Sequence, residues 1–299
     1  MRIGFFTDSY FPGIDGVTYT IKAWRERLED RGHEVYVVYP DNPEYEPDEN
    51  EYPVKSLPNP LYWQYRLPLY RRLSTLPELD VVHCHGPAST GLMGRRYAKK
   101  KDVTAVYTHH TPVEDYLIRG LKSEVLADLA GKPWVFYENR FLKGFSHVTA
   151  STSRIRRDVE PQKLPVGIEM EFFRPQEEDM FPDEERPIVG YSGRMNKKKN
   201  IGEILKLAER MDEVRFVLVG EGPQRDNWEK QAPENIEFMD FLDREELPKF
   251  YSSIDAFITA STCDTLGLST LEANACGTPV AAVDLQPFNR TIEKDNGER

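Results

Sequence analysis

The chain has 299 residues, 39% of them hydrophobic, 11% aromatic and 30% charged, with a formal net charge of −11. That length suits one large domain or two ordinary ones, and the apolar share is enough for real cores, which excludes wholesale disorder. The acidic balance argues against a general nucleic-acid binder, whose affinity comes from neutralising phosphates, and reads as a solubility device. The cysteines, Cys84, Cys263 and Cys276, show no CxxC spacing. A sparse, odd set points to a reducing, cytoplasmic compartment and to neither a disulfide framework nor a zinc site. The opening MRIGFFTDSY is interrupted by polar residues too early for a signal peptide. No window approaches ~18 uninterrupted apolar residues, so no membrane span is expected.

Short β-rich apolar runs alternate with helical patterns. Residues 2–7, RIGFFT, predict a strand. Val17, Ile21, Trp24 and Leu28 form one stripe and predict a helix over 17–32, with Gly32 as its stop. HEVYVVYP, LDVVHCH (79–85) and VTAVYTHH (103–110) are strands, the last two separated by the basic helix GLMGRRYAKKK. WVFYENRFLKGF (134–145) reads as a helix and SHVTAS as a strand. Strands separated by helices imply crossovers and a parallel sheet. The pattern then restarts, with strands at 187–193, 214–220, 236–241, 255–261 and 279–284 and helices near 200–211, 223–231, 244–254 and 268–276. Between the halves, 164–187 is rich in proline and acid and reads as a hinge. The expected architecture is α/β, with doubly wound parallel-sheet domains at 1–163 and 164–299. No repeat of ~20–50 residues is visible.

Open parallel sheets bind ligands at the carboxyl ends of their strands, so the segments after each strand carry the search. After the first strand, Gly13, Asp15 and Gly16 precede a helix start, either as an ordinary turn or as an approach to anionic groups. GRMNKKKN offers Arg194 and three lysines, either a solvated loop or a phosphate site. In GEGPQRDN, Arg225 stands where a dinucleotide fingerprint needs its third glycine, and no GxxxxGK[ST] occurs. In STCDTLGLSTLEANACGTPV, Asp264 and Glu272 flank Leu266, Gly267 and Leu268. Two acids with backbone amides between them suit a polyol diphosphate, with a capped helix as the plainer reading. His109 and His110 follow a strand, structural or catalytic. His83 and His85 lack a third ligand at suitable spacing, so no metal is expected.

Taken in order, these segments resemble a family-4 retaining glycosyltransferase of the GT-B fold, closest to the diacylglycerol and glycolipid hexosyltransferase branch. FPGIDGV resembles its N-terminal glycine loop, with Asp15 where the family often has glycine. RGHEVYVV, DVVHCHGP and YTHHTPVEDY resemble segments of its first domain, and LPVGIEMEFFRP its domain connection. GYSGRMNKKKN resembles Gly-Arg-Leu-x-x-Glu-Lys-Asn, and STCDTLGLSTLEANACGTPV resembles Glu-x7-Glu followed by Ala-x-Gly-x-Pro-Val. The resemblance implies two Rossmann-like domains facing a cleft. It implies a nucleotide-sugar donor, UDP-glucose or GDP-mannose, and no metal or other cofactor. Arg194 and Lys199 would hold the diphosphate, Glu272 the ribose and Asp264 the transferred sugar. The backbone of Leu266, Gly267 and Leu268 would assist, and that near Asp240 and Phe241 would meet the base. His110 would lie at the reaction centre, with Asp15 and Gly16 in the donor-facing loop. Asp264 stands where the family usually has glutamate, and Lys198 where it has glutamate before Lys199. The family normally continues for several dozen residues past DNGER, so a truncated second domain is expected.

The acceptor is read as a lipid or a lipid-linked glycan. NPLYWQYRLPLYRRL (59–73) sets Trp63 and Tyr65 among Arg66, Arg71 and Arg72. That mixture suits peripheral contact with anionic lipid on the inner face of the cytoplasmic membrane, or packing against the first domain. Two other functions stand beside the transferase: a nucleotide-sugar-binding protein without useful turnover, and a nucleotide-sugar 2-epimerase.

Overall fold

The computed structural model describes all residues except 14, 60–64, 72, 74, 111–123, 152–154, 156, 263, 265 and 286, and the side chains of 124–130. They form two compact units, Met1–Val166 and Gly167–Arg299.

The first unit contains β1 (Arg2–Phe6), α1 (Gly16–Glu29), β2 (Glu34–Pro40), β3 (Glu51–Val54), β4 (Ser56–Pro58), β5 (Arg66–Pro68), β6 (Val81–Cys84), α2 (Ser89–Lys101), β7 (Thr104–His109), α3 (Glu124–Leu142), β8 (His147–Ala150) and β9 (Gln162–Lys163). Its seven-stranded sheet has the order β3-β2-β1-β6-β7-β8-β9, parallel throughout. Such strands are buried on both faces, which explains their continuous apolar runs. Ile3, Phe5, Val35 and Val37 pack with Ile21 of α1 on one face. Phe6, Val38, Val82 and Tyr107 pack with Met93 of α2 and Phe141 of α3 on the other. The buried Glu51 carboxylate ties β3 to its neighbours, accepting from Tyr10 Oη at 2.7 Å and Arg25 Nη1 at 2.8 Å.

The second unit contains β10 (Ile188–Ser192), α4 (Ile201–Ala208), β11 (Arg215–Val219), α5 (Arg225–Glu229), β12 (Ile236–Met239), α6 (Leu247–Ser252), β13 (Ala256–Thr259), α7 (Leu268–Ala275), β14 (Val280–Ala282), α8 (Phe288–Thr291) and β15 (Gly297–Glu298). Its six-stranded parallel sheet runs β12-β11-β10-β13-β14-β15. Tyr191, Ile204, Phe216 and Leu218 form the core on one face, and Val217, Phe250, Tyr251, Phe257 and Phe288 on the other.

In each sheet the order reverses once, between β1 and β6 and between β10 and β13. Helices leave such a point in opposite directions, so a crevice opens at the strands' carboxyl ends.

Three elements differ from the sequence expectation. Helix α3 starts at Glu124, not at 134, and carries Pro133 inside it. The upstream EVLADLAGK is rich in strong helix formers, so the helix begins well before Pro133, which lies just ahead of the expected start. The expected helix 244–254 divides into a 3-10 turn, Arg244–Glu246, and α6. An Asp243–Glu246 capping box starts that turn, and Pro248 opens α6. Strands β3, β4 and β5 were not anticipated, because Pro53, Pro58 and Pro68 interrupt the pattern. Proline is tolerated there because β3 is an edge strand and β4–β5 is an isolated antiparallel pair.

Candidate functional site

In the second unit, the loop after β10 carries Arg194 and turns into a 3-10 helix, Lys197–Lys199. Asn196 caps this turn, its Oδ1 accepting from Lys198 N at 2.9 Å and Lys199 N at 3.3 Å. The loop after β11 lies directly against it. Met195 N donates to Glu221 O at 2.7 Å, and Gln224 N to Met195 O at 3.1 Å. Gly220 has φ +131°, and a Cβ there would stand 2.2 Å from Gly193 O. The glycines of GEGP therefore serve a backbone-to-backbone approach between two loops.

The loop after β13 completes the group. Thr262 N donates to Lys198 O at 3.1 Å. Lys199 Nζ donates to both Asp264 oxygens, at 2.8 and 3.0 Å, with both side chains half-buried. Gly267, at φ +71°, then starts α7 with no side-chain cap. The first N–H groups of a helix point outward with partial positive charge, which suits an anion. Glu272 lies further along α7, where its Oε2 accepts from Tyr251 Oη at 3.0 Å. Tyr251 Oη meets Ser192 Oγ at 2.7 Å. Burial pushes the Glu272 carboxyl up to about 7, opposed by the tyrosine hydrogen bond and by Arg244. After β12, Asp240 Oδ1 pairs with Arg225 Nη1 at 2.8 Å, and the Phe241 ring is half exposed.

In the first unit, Asp15 caps α1, its Oδ1 accepting from Val17 N at 2.9 Å and Thr18 N at 2.8 Å. Its Oδ2 accepts from Ser9 Oγ at 2.6 Å, and Gly16 is exposed at the helix start. His110 Nε2 lies 3.0 Å from His85 Nδ1, with the two rings stacked. His83 Nε2 lies 2.6 Å from Thr108 Oγ1. Burial drives all three imidazoles below their usual range, His83 to about 3, His110 to about 4 and His85 well down. For His110, the neighbouring His109 adds to this and Asp15 opposes it. The three are therefore neutral near pH 7. Among the described residues no group of three side chains could hold a metal ion.

Of the residues read as acceptor contacts, Arg66 sits in β5, its Nε donating to Ser56 Oγ at 2.8 Å. With Tyr65, Asp8, Tyr10 and Asn42 it lines a small, open surface pocket. Arg71 is exposed, and Trp63 and Arg72 lie outside the described residues, as does Cys263.

Thus Arg194, Lys199, Asp264 and Gly267 lie on neighbouring loops and turns at the β10–β13 reversal, Glu272 follows in α7, and Leu266 and Leu268 flank Gly267. Asp240 and Phe241 follow β12 at the edge of the same sheet. Asp15, Gly16 and His110 belong to the first unit. Sequence reasoning missed Tyr251, Ser192 and His85 as partners of site residues. Only their strand-end and core positions marked them, because no local pattern names a contact partner.

Two Rossmann-like units with loops of this kind at their strand reversals define a class, the GT-B glycosyltransferases. The family model for glycosyltransferase family 4 matches residues 14–166, and that for glycosyl transferases group 1 matches 173–299. The chain belongs to glycosyltransferase family 4 and is a glycosyltransferase. It is similar to the alpha-monoglucosyldiacylglycerol synthase of Streptococcus pneumoniae, at 30% identity over 94% of this chain and 71% of the relative. The Acholeplasma laidlawii synthase of the same name is 29% identical over 98% and 83%. A GDP-mannose-dependent alpha-mannosyltransferase of Mycolicibacterium smegmatis is 26% identical over 95% and 80%. Among solved structures, sucrose-phosphate synthase from Thermosynechococcus elongatus superposes with a TM-score of 0.74 at 17% identity, over 99% of this chain and 85% of that one. Anabaena Alr3699/HepE, solved in complex with UDP, gives 0.72 at 17%, over 100% and 85%.

Proposed function

We propose that the chain transfers a hexose from a nucleotide sugar to a lipid or lipid-linked glycan, with retention at the anomeric carbon and without a metal ion. The observation that carries this is the joining of the 194–199 loop to the 262–272 segment through Thr262–Lys198 and Lys199–Asp264. Cations, backbone donors and a second carboxylate gather there, the set a sugar diphosphate needs.

In this reading Arg194 and Lys199 take the diphosphate, Glu272 the ribose and Asp264 the hexose. The amides around Gly267 assist, and the base lies by Asp240 and Phe241. The bond from the anomeric carbon to the diphosphate oxygen breaks, leaving positive charge on the sugar and negative charge on the leaving group. Fixed cations at that oxygen lower the barrier. The acceptor hydroxyl attacks from the same face, and its proton goes to the departing phosphate oxygen. The family resemblance assigns His110, neutral and hydrogen-bonded to His85, to the sugar, and Gly16, in the loop that Asp15 holds, to the donor.

The relatives named alpha-monoglucosyldiacylglycerol synthase support glucose as the transferred sugar and a diacylglycerol-type acceptor, and the mannosyltransferase supports GDP-mannose as the other donor. Among the described residues no helix is long and apolar enough to cross a membrane. Peripheral contact has a physical basis in the β4–β5 pair. Leu57 and Leu67 face each other across it and are exposed, beside exposed Leu69, Tyr70 and Arg71. Such a patch suits the inner face of an anionic cytoplasmic membrane.

Thermal denaturation with UDP, GDP, UDP-glucose and GDP-mannose tests the donor. A ligand at ~100 times its dissociation constant adds about 2.7 kcal/mol. Stabilisation by one base and its sugar is the expected result, and none by any of them would sink the reading. NMR of the anomeric proton in the product then tests retention.

A further inference from the structure

We propose that Tyr251 is a positioning residue that, oriented by Ser192, holds Glu272 for the ribose of the donor and makes donor binding pH-dependent. The inference rests on the reading of Glu272 as the ribose carboxylate. It begins from hydrogen-bond inventory. A phenol has one hydrogen to give, and Tyr251 Oη gives it to Glu272 Oε2 at 3.0 Å. The contact to Ser192 Oγ at 2.7 Å must then run the other way, with the serine donating to the phenol oxygen. The chain Ser192→Tyr251→Glu272 is therefore polarised toward the carboxylate. Its members come from β10, α6 and α7.

The phenol cannot swing away. Tyr251 is fully buried, and its ring contacts Phe173, Phe250 and Phe257. Thr278 Oγ1 donates to its backbone carbonyl at 2.5 Å. One oxygen of Glu272 is thus held by an immobile donor. Among the described residues no protein group donates to the other, Oε1, which leaves it for a ligand hydroxyl.

The carboxylate sits among few charges. Among the described residues Arg244, from the turn before α6, is the cation acting on it, and that guanidinium also lies over Phe172 and pairs with Glu169. Cys276, which caps the end of α7, is a thiol pushed up to about 11 by burial and by Glu272 itself. Ser192 and Tyr251 are neutral. Burial therefore sets Glu272 near 7, where it exchanges its proton in the working range. A protonated Glu272 offers ribose hydroxyls a weaker acceptor than the carboxylate, so affinity rises as pH rises through about 7. The Tyr251 bond stabilises the charged form, so its loss moves the transition upward.

The experiment is calorimetric titration of UDP-glucose and of GDP-mannose between pH 5.5 and 8.5, where their diphosphates carry no titrating proton. The proteins are the full chain, Tyr251→Phe, Ser192→Ala and Glu272→Gln. Tyr251→Phe should move the affinity midpoint up by about one pH unit, which weakens binding about fivefold at pH 7. Ser192→Ala should move it the same way by less, and keeps the test alive if the phenylalanine variant folds poorly. Glu272→Gln should weaken binding and abolish the pH dependence. An unmoved midpoint in Tyr251→Phe and Ser192→Ala, with Glu272→Gln still weakened, would overturn the role of Tyr251. Full affinity in Glu272→Gln would instead remove Glu272 from the ribose, and the reading beneath the inference with it.

Discussion

Lys199 and Asp264 form a bidentate contact, at 2.8 and 3.0 Å. A diphosphate that binds Lys199 has to share or displace that carboxylate. Asp264→Asn should therefore tighten UDP, which has no sugar to lose, while slowing hexose transfer. The pair is half-buried, so the gain is about 0.2–1 kcal/mol, up to about fivefold. Calorimetry with UDP beside a transfer assay checks both directions, and weaker UDP binding would show that Asp264 serves only to place the lysine. Residue types were legible at this scale. Arg194, Lys199, Asp264 and Glu272 could be named because acids and cations after strands are rare signals against apolar runs. Their partners could not, since Lys199 and Asp264 are 65 positions apart, Tyr251 and Glu272 21, and His85 and His110 25.

Helix α7 owes its start to Gly267. That residue holds φ +71°, and a Cβ on it would lie 2.7 Å from the Phe288 ring of α8. Gly267→Ala therefore combines a left-handed backbone penalty of about 1–2 kcal/mol with overpacking of about 1–3 kcal/mol. Urea unfolding should report a loss of about 2–5 kcal/mol in the second unit, together with loss of nucleotide binding. An unchanged midpoint would mean that Phe288 and the helix start yield without cost. Elements with a strong period were readable: α1 and the alternating strands of both sheets follow from apolar spacing. The β4–β5 pair was not, because its prolines break the period and only pairing across the turn makes it a sheet. That pair also exposes Leu57 and Leu67 side by side, which a linear reading scatters. Binding to anionic vesicles should fall between ~0.05 and ~0.5 M salt, in keeping with a screened basic patch. Sedimentation of the chain with vesicles measures it, and salt-independent binding would make the contact apolar alone.

At the scale of the molecule, the two units respond oppositely to acid. In the first, His83 and His110 stay neutral down to about 3 and about 4, and His85 is also held well below its usual range. The unfolded chain protonates histidine near 6.5, so between about 6.5 and 4 it binds more protons than the folded one. Stability of this unit is thus fully present above pH 6.5 and is lost as pH falls, at up to about 1.4 kcal/mol per pH unit for each histidine. Asp8 opposes the trend, its carboxyl being raised by burial, but three imidazoles outweigh one acid. In the second unit Glu272, near 7 when folded and about 4.3 when unfolded, takes up its proton earlier in the folded state, so acid favours that unit between about 7 and 4.3, below which Glu184, held down to about 2 by Arg186, opposes it. Hydrogen exchange at pH 7.5 and 5.5, corrected for intrinsic rates, should show protection falling in Met1–Val166 and not in Gly167–Arg299. The reverse order would mean that the histidines are solvated.

Periodicity determined that this chain is α/β and that its pattern restarts after residue 164, and the motifs in their order resembled the GT-B glycosyltransferases. These are local properties, written by side-chain spacing along single elements. Strand order is not local. The reversal between β10 and β13 brings the 194–199 loop to the 262–272 segment, and the shared core between α6 and α7 sets Tyr251 under Glu272. Which acid meets which cation, and which carboxyl is driven toward neutrality, depends on burial and distance, and those exist only once the sheets have formed.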